Sequence, residues 1–220
     1  ADHPMAKKDV GVQGLPTSSL ADMEAFLEEI PIENVSVVFP ISTCPAVIVF
    51  AYYIAVAQKR GIDISKLRGT IQNEPLKGPY SGYAPGSLYP DLCLKMSGDL
   101  IEYVIRHMPL WNPINLNTPS FHCFGVTAGE ELGITMSVGM AHIEEGLRRG
   151  LTIDEIAPKF GWFIDVSPDI FEEAAKLRAL RRVWAKTLKD KYGAKDPRSL
   201  KARFACAPAG YCLRAQEPMN

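Results

Sequence analysis

The histidines, cysteines and carboxylates of this 220-residue chain form no familiar catalytic set by their spacing. Cys44, Cys93, Cys123, Cys206 and Cys212 are odd in number and make no C-x-x-C pair, so neither a disulfide framework nor a structural zinc site is expected. Unpaired thiols of this kind fit a reducing, cytoplasmic location. Among the histidines, His3 lies near the ragged start, His107 ends a helix where a cation is favourable, and His142 falls inside a helix. Only His122 stands where a strand exits. No Ser-His-Asp spacing, paired-carboxylate site or His/Asp/Glu cluster is recognisable, so a hydrolase or metal enzyme is not indicated. The loop Gly78-Pro79-Tyr80-Ser81-Gly82 lacks the following lysine of a phosphate cradle, and no G-x-G-x-x-G occurs.

Bulk composition narrows the partners. With 24 Lys+Arg against 25 Asp+Glu the net charge is −1, which removes the electrostatic case for nucleic acid or an anionic membrane. The chain is 47% hydrophobic, yet its longest apolar run, from Ala46 to Ala57, is well short of the roughly 20 residues a membrane span needs.

The elements that must position these groups alternate. Ser19 and Asp22 read as a capping pair for a helix that Pro31 ends, and Val35–Phe39 as a strand. Pro45 to about Lys59 is a helix apolar at nearly every position, and Gly69–Asn73 a strand with its exit. Glu74 to Pro90 holds too much proline and glycine for any regular element and reads as a long loop of the kind that often carries function. A helix from Pro90 to Met108 follows, then the period-two strand Ile114–Thr118 and a helix from Thr127 to about Arg149. Thr152–Glu155 is a capping box, Phe160–Ile164 a strand, and Asp169 caps a helix expected to bury Ile170, Ala174, Leu177, Trp184 and Leu188. Ala202–Cys206 is the last strand candidate.

Such alternation implies parallel strands with right-handed crossovers. The missing nucleotide loops favour a (β/α)8 TIM-type barrel over an open doubly wound sheet. In either architecture ligands sit past the strand ends, at Ser42, Thr43, Gln72, Asn73, Asn117, Ser120, Phe121, His122, Asp165 and Ala207–Tyr211. That set is polar but nearly uncharged.

Leu67-Arg68-Gly69-Thr70-Ile71-Gln72-Asn73 resembles the substrate-binding barrel of adenosylcobalamin-dependent acyl-CoA mutases, the methylmalonyl-CoA mutase family. The likeness continues through His107-Met108-Pro109, Gly150–Glu155, Arg181–Ala185 and Gly193–Ser199 in the family's order. The resemblance implies a barrel threaded by the CoA arm and closed at its carboxyl-end face by cobalamin, whose cobalt–carbon homolysis starts a radical carbon-skeleton rearrangement. A nearly uncharged site suits radical chemistry, which needs exclusion of water and positioning more than acid and base groups. It implies substrate or CoA contacts at Thr70, Gln72, Asn112, Ser120 and Lys159, a catalytic His122, and cofactor-facing Gly82, Tyr83 and Gly210.

Departures accompany the likeness. An ungapped match puts Ser120 at the family's catalytic histidine, and a two-residue shift puts His122 there. No arginine stands near Gly82 or Tyr83 to hold a second substrate carboxylate, and a CoA-binding arginine and its companion serine become Lys159 and Gly161. Polar strand positions become Val38 and Pro40. The expected substrate is therefore an acyl-CoA other than methylmalonyl-CoA. About five βα units cannot close an eight-stranded barrel. Residues 1–220 are thus expected to be one partial barrel domain without a cobalamin-binding domain, working with such a domain or a small subunit in a hetero-oligomer. The alternative is a non-catalytic mutase-like binding or assembly subunit.

Overall fold

A computed structural model describes residues 4, 8, 10–12, 14–41, 44–76, 88–212 and 214–217, with the side chains of residues 44, 120 and 211 left aside. Its strands are β1 (Ser36–Phe39), β2 (Arg68–Ile71), β3 (Trp111–Asn112), β4 (Ile114–Asn117), β5 (Phe160–Val166) and β6 (Phe204–Pro208). The helices are α1 (Leu20–Leu27), α2 (Cys44–Lys59), α3 (Pro90–His107), α4 (Pro119–Cys123), α5 (Ala128–Arg148), α6 (Ile153–Ile156) and α7 (Ile170–Asp190).

Local chemistry starts these helices where the sequence places them. Ser19 and Asp22 form the expected capping box on α1, and Thr127 with Glu130 and Thr152 with Glu155 do the same for α5 and α6. The Asp169 carboxylate accepts from Phe171 and Glu172 amides at 3.2 and 3.1 Å to open α7, and Pro90 opens α3.

All strand pairs are parallel, in the orders β1-β2-β3 and β4-β5-β6. Only Pro113 separates β3 from β4, because it has no amide to donate, and the Asn115 amide resumes the ladder on the Gln72 carbonyl at 3.0 Å. Strands therefore neighbour one another in chain order, without the reversal that marks an open doubly wound sheet.

Helices cover one face. Phe39, Ile71, Trp111, Ile114, Leu116, Phe160, Trp162 and Ile164 are buried against them in two clusters, the first three packed with α1–α3 and the rest chiefly with α5–α7. Burying each large side chain contributes about 2–3 kcal/mol. Gly69 is required here, since a Cβ would stand 2.2 Å from the Val37 carbonyl oxygen and 2.5 Å from the Trp111 ring. The opposite face carries Val38, Thr70, Gln72, Asn115, Asn117 and Phe163, with Pro119 of α4 beside them and no long helix among the described residues, the arrangement of part of a barrel wall with its lumen.

Two expectations are corrected. The last strand runs two residues later than Ala202–Cys206, at Phe204–Pro208. On α7 the buried side chains are Glu173, Lys176, Leu180, Trp184 and Leu188, while Ile170 is 72% exposed. Two charged residues occupy the inner face because they neutralise each other there, which hydropathy alone does not register. Among the described residues no helix is long and apolar enough to cross a membrane.

Candidate functional site

The alternation of β2 and β4 sends Ile71, Ile114 and Leu116 to the helices and leaves Thr70, Gln72, Asn115 and Asn117 for the lumen. There they line a cavity of about 330 Å³ with Val38, Pro40, Pro119 and Phe163. Its wall among the described residues is uncharged and mainly apolar, with Thr70, Gln72, Asn115 and Asn117 as its polar groups. The chain leaves β2 through Asn73, whose backbone is left-handed (φ 41°), a conformation asparagine tolerates. Its buried amide donates to the Pro113 and Ser97 carbonyls at 3.0 and 3.3 Å, and Ser97 Oγ donates to the Asn73 carbonyl at 3.1 Å.

Toward the amino ends of the strands three polar side chains join. Asn112 Nδ2 donates to Thr70 Oγ1 at 3.1 Å, and Arg203 Nη2 donates to Asn112 Oδ1 at 3.1 Å. Arg203 also donates to the Pro158 and Phe160 carbonyls, so it reaches across the start of β5, where Gly161 has no side chain. Lys159 donates to the Pro109 carbonyl. Burial lowers the Lys159 pKa, helped by the charges of Arg203 and Arg198, and burial also lowers that of Arg203. Among the described residues these donors meet carbonyls and an amide rather than carboxylates, which leaves net positive charge near Asn112.

The carboxyl-end rim differs. His122, on α4 directly after β4, is not in the cavity wall; its Nδ1 lies 3.0 Å from Glu131 Oε2 on α5. Lys176 Nζ on α7 meets the same oxygen at 3.0 Å, Glu173 Oε2 at 2.7 Å and the Asp165 carbonyl at 2.9 Å. Glu131 and Lys176 are fully buried. Burial raises the Asp165 pKa, with Glu131 adding to the rise and His122 opposing it. For Glu173, hydrogen bonds from Lys176 and the Ser167 amide outweigh burial and hold the carboxyl below its usual range. For Lys176, burial is outweighed by Glu173 and Glu131, and its pKa rises.

Of the expected site residues, Thr70 and Gln72 line the cavity and Asn112 bonds to Thr70, while Lys159 bonds to the Pro109 carbonyl outside that lining. His122 stands apart at the rim, and Ser120 lies beside Pro119 in α4 with its side chain outside the described set. Gly82 and Tyr83, with Ser42 and Thr43, fall outside the described residues. Gly210 is exposed after β6, with nothing within 4 Å of where a Cβ would stand. Sequence reasoning missed Arg203, Glu131, Glu173 and Lys176, so the nearly uncharged site expected at the rim is corrected to one backed by buried charge. The available signal was charge at helical spacing inside apolar stripes, Glu131 with Thr135, Val138 and His142, and Lys176 with Leu180 and Trp184. No group of three or more metal-ligating side chains occurs among the described residues.

Comparisons with known proteins agree on one family. The family profile described as Methylmalonyl-CoA mutase matches residues 1–220. The chain is 36% identical over its whole length to the 2-hydroxyisobutanoyl-CoA mutase large subunit of Aquincola tertiaricarbonis, covering 39% of that protein. It is 32% identical to the human mitochondrial methylmalonyl-CoA mutase, covering 29% of it, and 32% identical to the methylmalonyl-CoA mutase large subunit of Porphyromonas gingivalis, covering 30%. The chain thus spans well under half the length of these relatives.

Proposed function

Because the chain belongs to the methylmalonyl-CoA mutase family, we propose that it forms about five of the eight βα units of the substrate barrel in an adenosylcobalamin-dependent acyl-CoA mutase. The observation that carries this reading is the line Thr70–Asn112–Arg203 with Lys159 near it, leading from an uncharged cavity wall to two cations. An acyl-CoA has matching parts, an uncharged thioester and pantetheine arm followed by phosphates. Thr70 and Gln72 orient the acyl thioester, Asn112 holds Thr70 in place, and Lys159 with Arg203 attracts the phosphate end. His122 at the rim, or Ser120 in the unshifted match, is the group assigned to hydrogen-bond the reacting carbonyl from outside the cavity wall.

The carboxyl-end rim fits a large flat cofactor. Gly210 faces open space, and Ala205 and Ala207, paired with Phe163 and Asp165, are small enough for close approach. Adenosylcobalamin, when bound, supplies the radical that starts the rearrangement, and this chain excludes water and positions the acyl group. Gly82, Tyr83 and Gly210 face that cofactor, which a further domain or small subunit mainly holds, as the large-subunit names of two relatives support.

No arginine is available near Gly82 or Tyr83 for a second substrate carboxylate, so the preferred substrate is an acyl-CoA lacking it. Assay of the full assembly with adenosylcobalamin and a panel of acyl-CoAs is expected to show turnover of monocarboxylic acyl groups; preference for methylmalonyl-CoA would overturn the substrate assignment. His122→Ala is expected to lower kcat by about 10²- to 10³-fold through loss of a hydrogen-bond donor to the reacting carbonyl. Unchanged turnover would move that role to Ser120.

A further inference from the structure

We propose that Glu131, held by Lys176, is the positioning residue that fixes the ring and the tautomer of His122, placing a proton on Nδ1. The inference rests on the reading of His122 as the polar group that meets the substrate.

The geometry supports it in three steps. Glu131 is fully buried in the first turn of α5, and the Lys176 ammonium stands 3.0 Å from its Oε2. Lys176 Nζ donates to Glu131 Oε2, so this oxygen is an acceptor. An oxygen that accepts from an ammonium presents its other lone pair to the His122 nitrogen 3.0 Å away, so that nitrogen is the donor. The proton therefore sits on Nδ1 whether the ring is neutral or cationic, and a neutral ring carries its lone pair on Nε2.

Lys176 is itself over-determined. It is ion-paired to Glu173 at 2.7 Å and donates to the Asp165 carbonyl at 2.9 Å, while the Ser167 amide donates to Glu173 Oε1 at 3.0 Å. The lysine so ties α7 to the end of β5, and Glu131 carries that rigidity to α4. Glu131 Oε1 has no hydrogen-bond partner among the described residues, so the orientation of this carboxylate is set by the oxygen that faces Lys176 and His122.

The test is ring-15N histidine labelling of the full-length protein, with the His122 signals assigned by their loss in His122→Gln. A neutral wild-type ring is expected to carry its proton on Nδ1, and Glu131→Gln to shift the population toward Nε2–H. An Nε2–H ring in the wild type, or an unchanged population in Glu131→Gln, would overturn the proposal. The wild-type spectrum decides even if the variant does not fold. In the active assembly Glu131→Gln is expected to lower kcat about tenfold or more with KM little changed. An Nδ1–H ring beside unchanged turnover in His122→Ala would sink the catalytic reading of His122 and leave the clamp by Glu131 intact.

Discussion

Helix α5 carries a charge cluster at each end, and the two are built for different tasks. At its start Glu131, Lys176 and Glu173 are nearly or fully out of water, behind His122 at the carboxyl ends of the strands. At its end Arg149 pairs with Glu145 on its own helix and with Asp99 and Glu102 on α3, at 2.8, 2.6 and 3.3 Å. Asp99 is 57% and Glu102 30% exposed, so the second cluster is solvated on one side. Arg149 also donates to the Lys95 carbonyl, and Gly98 makes room for it, since a Cβ there would stand 2.6 Å from Arg149 Nε. The lower cluster staples two helices and can exchange protein partners for water. The upper one cannot, and such rigidity is useful where a side chain must be held in one orientation.

Lys176→Met is the severest way to expose that contrast. It leaves Glu131 and Glu173 buried without their cation, and breaking a buried pair from one side costs about 3–5 kcal/mol. Urea unfolding should show that loss. A change below about 1 kcal/mol would mean that water reaches the cluster and that the two ends of α5 are alike.

Midway along the same helix His142 offers a second separation. It is fully buried, its Nδ1 donates to the Val138 carbonyl at 2.8 Å, and burial pushes its pKa down to about 4 against the helping charge of Glu145. In the unfolded chain the ring takes up a proton near pH 6.5, whereas the folded chain resists until about pH 4. The stability this confers is complete above about pH 6.5 and is lost as pH falls toward 4, to a total of about 3 kcal/mol. His142→Phe should flatten that part of the stability profile while leaving the ion pairs of both clusters in place, and an unchanged slope would assign acid sensitivity to the rim instead.

Features that depend on neighbouring residues were readable from sequence. The capping boxes at Ser19 and Thr152, the Asp169 cap and the alternation of Ile114–Asn117 all appear where local chemistry places them. The lumen line was only partly readable: Thr70 and Asn112 are 42 positions apart and Arg203 lies 91 beyond Asn112, and no local signal reports that register. The face of α7 was misread because Glu173 and Lys176 look like solvent residues one at a time and are buried only as a pair. Charge neutralisation between α4, α5 and α7 is a property of packing, which a hydropathy pattern does not contain.

The smallest expected effect is the sharpest control on the comparison. Arg149→Met removes a cation two of whose partners, Asp99 and Glu102, already reach water, while the buried Glu145 keeps its pair with Arg148, so the loss should be about 1 kcal/mol. Salt distinguishes the clusters further. Raising ionic strength from 0.01 to 1 M, about 30 to 3 Å in screening length, weakens exposed pairs and leaves buried ones largely intact. The cost of Arg149→Met should therefore shrink with salt, while that of Lys176→Met stays nearly constant. Equal salt dependence in the two variants would show that both ends of α5 are solvated, and the orientation of His122 would then need another source.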